Sequence, residues 1–161
     1  MTRRPVIAVT GLLLAALAAT TAVVAQGNAA LAGSWSLDES AGGGRGGIRG
    51  IPIATELVVT LSPAQVVVES NTGSARAFQT FLFKLDGSRT EVPGPLGWAN
   101  TATARWDGDR LVITSRRTLE GGPNGPMSVE VTDVYVVAGD VLTIERTQGR
   151  RTDELVYRRT S

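Results

Sequence analysis

The amino-acid sequence predicts an all-β domain, an antiparallel meander of about 8–10 strands that closes into a barrel, preceded by a helical signal peptide. Beyond residue 25, short runs rich in Val, Ile, Thr and aromatic residues alternate with Gly, Asp and Pro turns. No stretch there carries a sustained apolar stripe with the period of a helix. Apolar and polar residues alternate along several strands, and closing the sheet removes the exposed edges that a long meander would carry.

The N-terminal segment, residues 1–25, has the three parts of a secretory signal. Arg3 and Arg4 precede an apolar stretch without charged residues, and Ala25 ends a small-residue cleavage site. We expect cleavage, which leaves residues 26–161 as a single domain that is periplasmic or secreted. An uncleaved anchor is the alternative, since the apolar stretch is about long enough to span a bilayer. Export by the general or the twin-arginine route stays open.

The mature chain is close to neutral. Loss of Arg3 and Arg4 leaves 14 of the 16 basic residues against 15 acidic ones, a net charge of −1. That balance gives no reason to expect nucleic acid as a partner, nor a membrane after signal cleavage. The chain is long enough to bury a core without disulfides, and it has no cysteine, which excludes a lipid-modified N-terminal cysteine. We expect a monomer.

Runs with strand composition follow one another along the mature chain. They cover residues 33–37, 55–61, 65–69, 76–84, 101–106, 110–116, 127–137, 141–146 and 154–159. Asp-Gly and Gly-Asp pairs separate several of them and supply the positive φ that tight hairpins need.

Three segments interrupt this rhythm. Residues 41–50 are Gly-rich, and we expect them to form a flexible loop. Residues 93–97 and 121–126 are Pro/Gly loops, which we expect not to continue a strand ladder.

Short motifs in the mature chain resemble the calycin barrels, the lipocalins and fatty-acid-binding proteins. Residues 31–37 resemble their Gly-x-Trp opening strand, and residues 104–113 and 155–159 resemble a late hairpin and the closing strand of the fatty-acid-binding branch. The chain is also similar to small exported bacterial proteins with a lipocalin-like barrel. The resemblance implies that Trp35 plugs one barrel end and that Arg158 or Arg159 packs across it.

Two departures weaken a fatty-acid interpretation. The fatty-acid-binding branch holds a carboxylate with an Arg-x-Tyr triplet, but here Leu155 stands at the arginine position and only Tyr157 is retained. That branch also inserts a helix pair after the first strand, where this chain has the Gly-rich loop.

The chain has neither histidine nor cysteine, which removes the commonest general base, the thiol nucleophile and zinc sites of usual composition. We expect no catalytic residues, no cofactor and no metal. Asp133 interrupts an apolar strand face, and a buried carboxylate needs a partner. Arg105, Arg116 and Arg146 are the candidate partners for a structural ion pair, and a polar ligand anchor is the alternative role.

The leading functional hypothesis is a non-catalytic binding module for a small apolar or amphipathic ligand. The residues expected to bind it are Phe81, Phe83, Trp98, Trp106, Met127 and Tyr135. A filled barrel that acts as an envelope-associated structural or interaction domain is the second hypothesis. A barrel isomerase or cyclase that uses a carboxylate such as Asp133 is the third.

Overall fold

The computed structural model describes residues 29–41, 53–73, 78–93, 100–122 and 125–160. In this part of the chain, ten antiparallel strands account for nearly all regular structure, as the sequence predicts. The strands are β1 (Gly33–Leu37), β2 (Glu56–Leu61), β3 (Gln65–Asn71), β4 (Gln79–Lys84), β5 (Thr90–Val92), β6 (Asn100–Asp107), β7 (Arg110–Gly122), β8 (Gly125–Ala138), β9 (Val141–Gln148) and β10 (Arg151–Arg159). A 3-10 helix, Glu39–Ala41, follows β1. Within the described residues, no helix is long and apolar enough to cross a membrane.

The strands form one sheet in which the first and last strands pair. The order is β4-β3-β2-β1-β10-β9-β8-β7-β6-β5, so every connection joins neighbours except the β4–β5 step, where the sheet has its two edges. These edges curl towards each other: β4 packs against β5 and β6, and the Lys84 backbone N–H donates to the Thr90 hydroxyl at 3.4 Å. The result is a nearly closed barrel.

Tight turns join many of the strands. Gly108 and Gly139 adopt φ of 65° and 61° in the two-residue connections β6–β7 and β8–β9. Residues with a Cβ atom are sterically disfavoured at such φ values, and glycine is not. The predicted Asp-Gly and Gly-Asp turns are therefore confirmed at these two hairpins.

The structure corrects several predicted boundaries. The ladder of β7 and β8 continues to the Gly122–Gly125 pair, so both ends of the predicted 121–126 loop belong to strands. The short strand β5 was not predicted, and Ala41 belongs to the 3-10 helix rather than to the Gly-rich loop. The predicted signal peptide, the rest of that loop and residues 94–99 lie outside the described residues.

The core fills the barrel interior, because alternate residues of each strand point inwards. Its most deeply buried side chains are Trp35, Val66, Leu111, Val131, Leu142, Ile144, Leu155 and Tyr157. Connections of a meander alternate between the two barrel ends. We call "closed end" the one with turns 62–64, 107–110 and 138–141, and "loop end" the one with connections 38–55, 72–78, 93–99 and 122–125.

Candidate functional site

The closed end is sealed by Trp35 and Arg159. The indole of Trp35 is 1% exposed and its N–H donates to the Leu31 carbonyl at 3.1 Å. The Arg159 guanidinium carbon lies 4.1 Å from the centre of the Trp35 ring, and the same group donates to the carbonyls of Ala30 and Ala32. A cation–π contact of this kind is worth about 0.5–2 kcal/mol. The geometry is that of a structural plug.

Arg158 is placed differently from Arg159. Alternation along β10 turns it to the outer face, where its Nε donates to Asp38 at 3.0 Å. The hydrogen bond from the Ser40 hydroxyl has the largest effect in lowering the pKa of Asp38 to about 2, and the hydrogen bond from Arg158 has the next largest. Of the two arginines that the resemblance implied, only Arg159 packs on Trp35.

Four charged side chains line the inner wall towards the loop end; we call Arg117, Asp133, Arg146 and Asp153 the charged row. Asp133 lies on β8 between the inward Val131 and Tyr135, and its side chain is 5% exposed. Its Cα partner on β9 is Arg146, whose own partner on β10 is Asp153. Antiparallel register therefore places two carboxylates on either side of one arginine.

Asp133 is held by two guanidinium groups. Arg146 forms a bidentate pair with it, Nε to Oδ1 at 2.7 Å and Nη2 to Oδ2 at 3.1 Å. Arg117 of β7 lies 3.5 Å from the same Oδ2 and donates from its Nε to the Ser115 hydroxyl at 3.0 Å. Burial lowers the pKa of Arg117, and Asp133 partly offsets this effect. Asp133 is therefore one member of a structural ion pair and is not a free general base.

The predicted partners Arg105 and Arg116 do not reach Asp133. Both are exposed, because alternation along β6 and β7 turns them to the outer face. Arg117 was missed because the predicted strand ended at residue 116. The alternation of inward and outward residues in the predicted strand 110–116, continued by one residue, would have placed Arg117 on the inward face.

Two tyrosines lie inwards beside the charged row. Burial is the largest cause of the raised pKa of Tyr135 and Tyr157, and the charge of Asp133 adds to the effect. The pKa of Tyr157 is raised to about 12. The Tyr157 hydroxyl donates to the Ala54 carbonyl at 3.0 Å and so ties β10 to the segment before β2. Both phenols are therefore neutral at physiological pH.

The opposite wall, on β2, β3 and β4, is apolar. Phe81 and Phe83 alternate inwards on β4, with ring centroids 6.4 Å apart and nearly parallel rings. Inward residues of β2 and β3, among them Val59 and Val66, continue this surface. An apolar wall thus faces a wall with buried charges.

The residues expected to bind ligand are spread around this interior. Phe81 and Phe83 share the apolar wall, Tyr135 is 7% exposed near the charged row, and Trp106 packs partly buried against the core. Met127 lies at the loop end of β8 and is 53% exposed. Trp98 lies outside the described residues. The described residues contain no group of three or more acidic side chains that could hold a metal ion.

A groove of about 130 Å³ lies on the outer face of β6, β7 and β8. Its polar lining includes Arg89, Thr101, Thr114, Arg116 and Glu130. It is open to solvent and smaller than the concave sites of about 300–1,000 Å³ that enclose small ligands.

Comparisons with known proteins identify the same fold. A secretory abundant heat soluble protein from Ramazzottius varieornatus superposes with a TM-score of 0.60 at 16% identity, over 81% of this chain and 96% of its own. The Schistosoma mansoni fatty acid binding protein in complex with arachidonic acid gives 0.58 at 17% identity, over 84% and 99%. Lipid binding protein 8 from Caenorhabditis elegans gives 0.58 at 9% identity, over 82% and 96%. No protein-family model and no curated sequence matches the chain. At these identities the likeness establishes the fold, an antiparallel β-barrel.

Proposed function

We propose that this chain is an exported, non-catalytic binding module that holds a small amphipathic ligand inside its barrel. The observation that carries the proposal is the two-sided interior: an apolar wall with Phe81 and Phe83 opposite the charged row. An amphipathic molecule matches such an interior, because its chain can pack on one wall while its polar group reaches the other. Residues 1–25 support the exported location.

The names of the similar proteins support the same proposal. Two of those proteins are described as lipid or fatty acid binding, and their barrels are covered almost completely by this chain.

A filled barrel that serves as an envelope-associated interaction domain is the second candidate. Val66, Leu111 and Leu142 are each 0% exposed, so the side chains around them pack against one another with no room for water. A ligand inside the barrel must therefore displace part of this packing. An interior volume below about 300 Å³ would favour this second candidate.

Native mass spectrometry of protein purified from the periplasm tests the proposal. The chain is expressed with its own signal, and the denatured mass should correspond to cleavage after Ala25. The native mass should include a small molecule that leaves on denaturation, and a hydrophobic fluorescent probe should bind the delipidated protein. An apo mass together with no probe binding would contradict the proposal and favour the filled barrel.

A further inference from the structure

Asp153 carries a buried oxygen that accepts no hydrogen bond. The residue lies on the inward face of β10, in alternation with Leu155 and Tyr157, and its side chain is 17% exposed. Its Oδ1 accepts from Arg151 Nε at 3.3 Å, but its buried Oδ2 has no hydrogen-bond partner. An ionised carboxylate is an acceptor only, so Oδ2 can be satisfied only by a donor. Leaving such a group unpaired is costly.

Arg146 would be the natural donor, since its Cα lies opposite Asp153 on β9. Its Nε and Nη2 are instead directed to Asp133, its partner on the other side. Because a guanidinium is rigid and planar, a bidentate pair with one carboxylate fixes the direction of the whole group. The arrangement of β8, β9 and β10 therefore leaves Asp153 facing the interior with an unused acceptor.

The charged row is electrically balanced, with Arg117 and Arg146 against Asp133 and Asp153. Arg151, the first residue of β10, is 53% exposed and is screened by solvent. A ligand carboxylate would add a third negative charge and would offer Oδ2 no donor. A ligand ammonium would add a third positive charge beside two partly buried arginines. An added charge of either sign is costly in an interior that is largely shielded from water.

We propose that the charged row is a head-group subsite for a neutral, hydroxyl-bearing amphiphile, and not for a free fatty acid. A hydroxyl both donates and accepts, so it can donate to Asp153 Oδ2 and accept from the spare N–H groups of Arg117 or Arg146. No net charge enters the barrel. This inference rests on the proposed function, since it names the polar class of the ligand held there.

The test compares three ligands with the same twelve-carbon chain at neutral pH: monododecanoylglycerol, dodecanoate and dodecylammonium. Affinities for the delipidated mature protein are measured by isothermal titration. The neutral glyceride should bind about tenfold or more tightly than dodecanoate, the difference expected for one hydrogen bond to a charged group. Dodecanoate or dodecylammonium binding as tightly as the glyceride would overturn the inference while leaving the proposed function intact. Binding of none of the three would overturn the proposed function itself.

The Asp153→Asn variant distinguishes a ligand-binding role of Asp153 from a purely structural one, because the two roles predict different changes in ligand affinity. The variant keeps the size of the side chain but removes one negative charge, which leaves an excess of positive charge in the row. Its affinity for the glyceride should fall and its affinity for dodecanoate should rise. Asp109→Asn, on the exposed β6–β7 turn, is the matched control and should change neither. If Asp153→Asn lowers both affinities equally, or neither, the subsite is wrongly assigned.

Discussion

Replacing Arg146 with Met tests whether the charged row contributes to stability as its burial implies. The substitution keeps much of the aliphatic volume but removes the bidentate partner of Asp133, whose side chain is 5% exposed. Arg117, 3.5 Å away, remains as the other cation. Breaking a buried ion pair by removing one partner costs about 3–5 kcal/mol, because the remaining charge stays desolvated. A domain of this size has a free energy of unfolding of about 5–15 kcal/mol, so the loss is a large fraction of it.

Urea unfolding followed by tryptophan fluorescence measures this loss. With a slope of about 1.5 kcal/mol per molar urea, 3 kcal/mol lowers the unfolding midpoint by about 2 M. Arg110→Met is the matched control: Arg110 pairs with Asp107 at 2.8 Å, nearly the same distance as the buried pair, but both side chains are about half exposed. A surface pair of this kind contributes about 0–1 kcal/mol.

The double variant Asp133→Leu/Arg146→Met separates an unpaired charge from a general packing defect. Removing both members of a buried pair is often neutral or stabilising, so the double variant should regain most of the loss. Equal midpoints for Arg146→Met and Arg110→Met would refute the reasoning, and so would a double variant less stable than Arg146→Met.

The closed end and the tyrosines give further expectations. Arg159→Ala loses the contact with Trp35 and two hydrogen bonds to carbonyls, so it should lower the free energy of unfolding by about 2 kcal/mol. Arg158→Ala removes only an exposed ion pair and should lower it by about 1 kcal/mol or less. Thermal unfolding of the two variants measures the difference. Burial raises the pKa of Tyr157 from the ordinary 10.0 to about 12. The neutral phenol therefore contributes its full stability below pH 10, and this contribution is lost as the pH rises to about 12. Urea midpoints should fall over that range, tyrosinate absorbance should appear together with unfolding, and Tyr157→Phe should make the fall shallower; the same sign holds for Tyr135. A midpoint that stays constant through that range, or falls equally in Tyr157→Phe, would contradict the assignment.

The fold was predictable because its signals are local. Alternation in residues 127–137 places Tyr135 and Asp133 on one inward face, and the structure agrees. Gly108 and Gly139 mark hairpins because positive φ is a property of single residues. Strand β5 has only three residues, too few for a period of two to emerge, and its pairing with β6 defines it instead.

The charged row was only partly predictable, because it depends on pairing between distant strands. Asp133 stood out as a polar interruption of an apolar face, and Arg146 was among its candidate partners. The choice of Arg146 over Arg105 and Arg116 follows from register and from the side of the sheet, which are tertiary properties. Asp153 lay just before the predicted last strand, so its inward position had no signal until β10 was extended to Arg151.

Placement of a ligand chain within the barrel tests the central proposal most directly. In the complex of the labelled mature protein with monododecanoylglycerol, intermolecular NOEs identify the side chains that touch the acyl chain. Phe83 and Tyr135 point inwards, while Leu82 and Val134 are their outward neighbours on the same strands and serve as internal controls. The account predicts acyl contacts to Phe83 and Tyr135, with none to Leu82 and Val134. Contacts to the outward pair alone, or no contacts at a saturating ligand concentration, would contradict it.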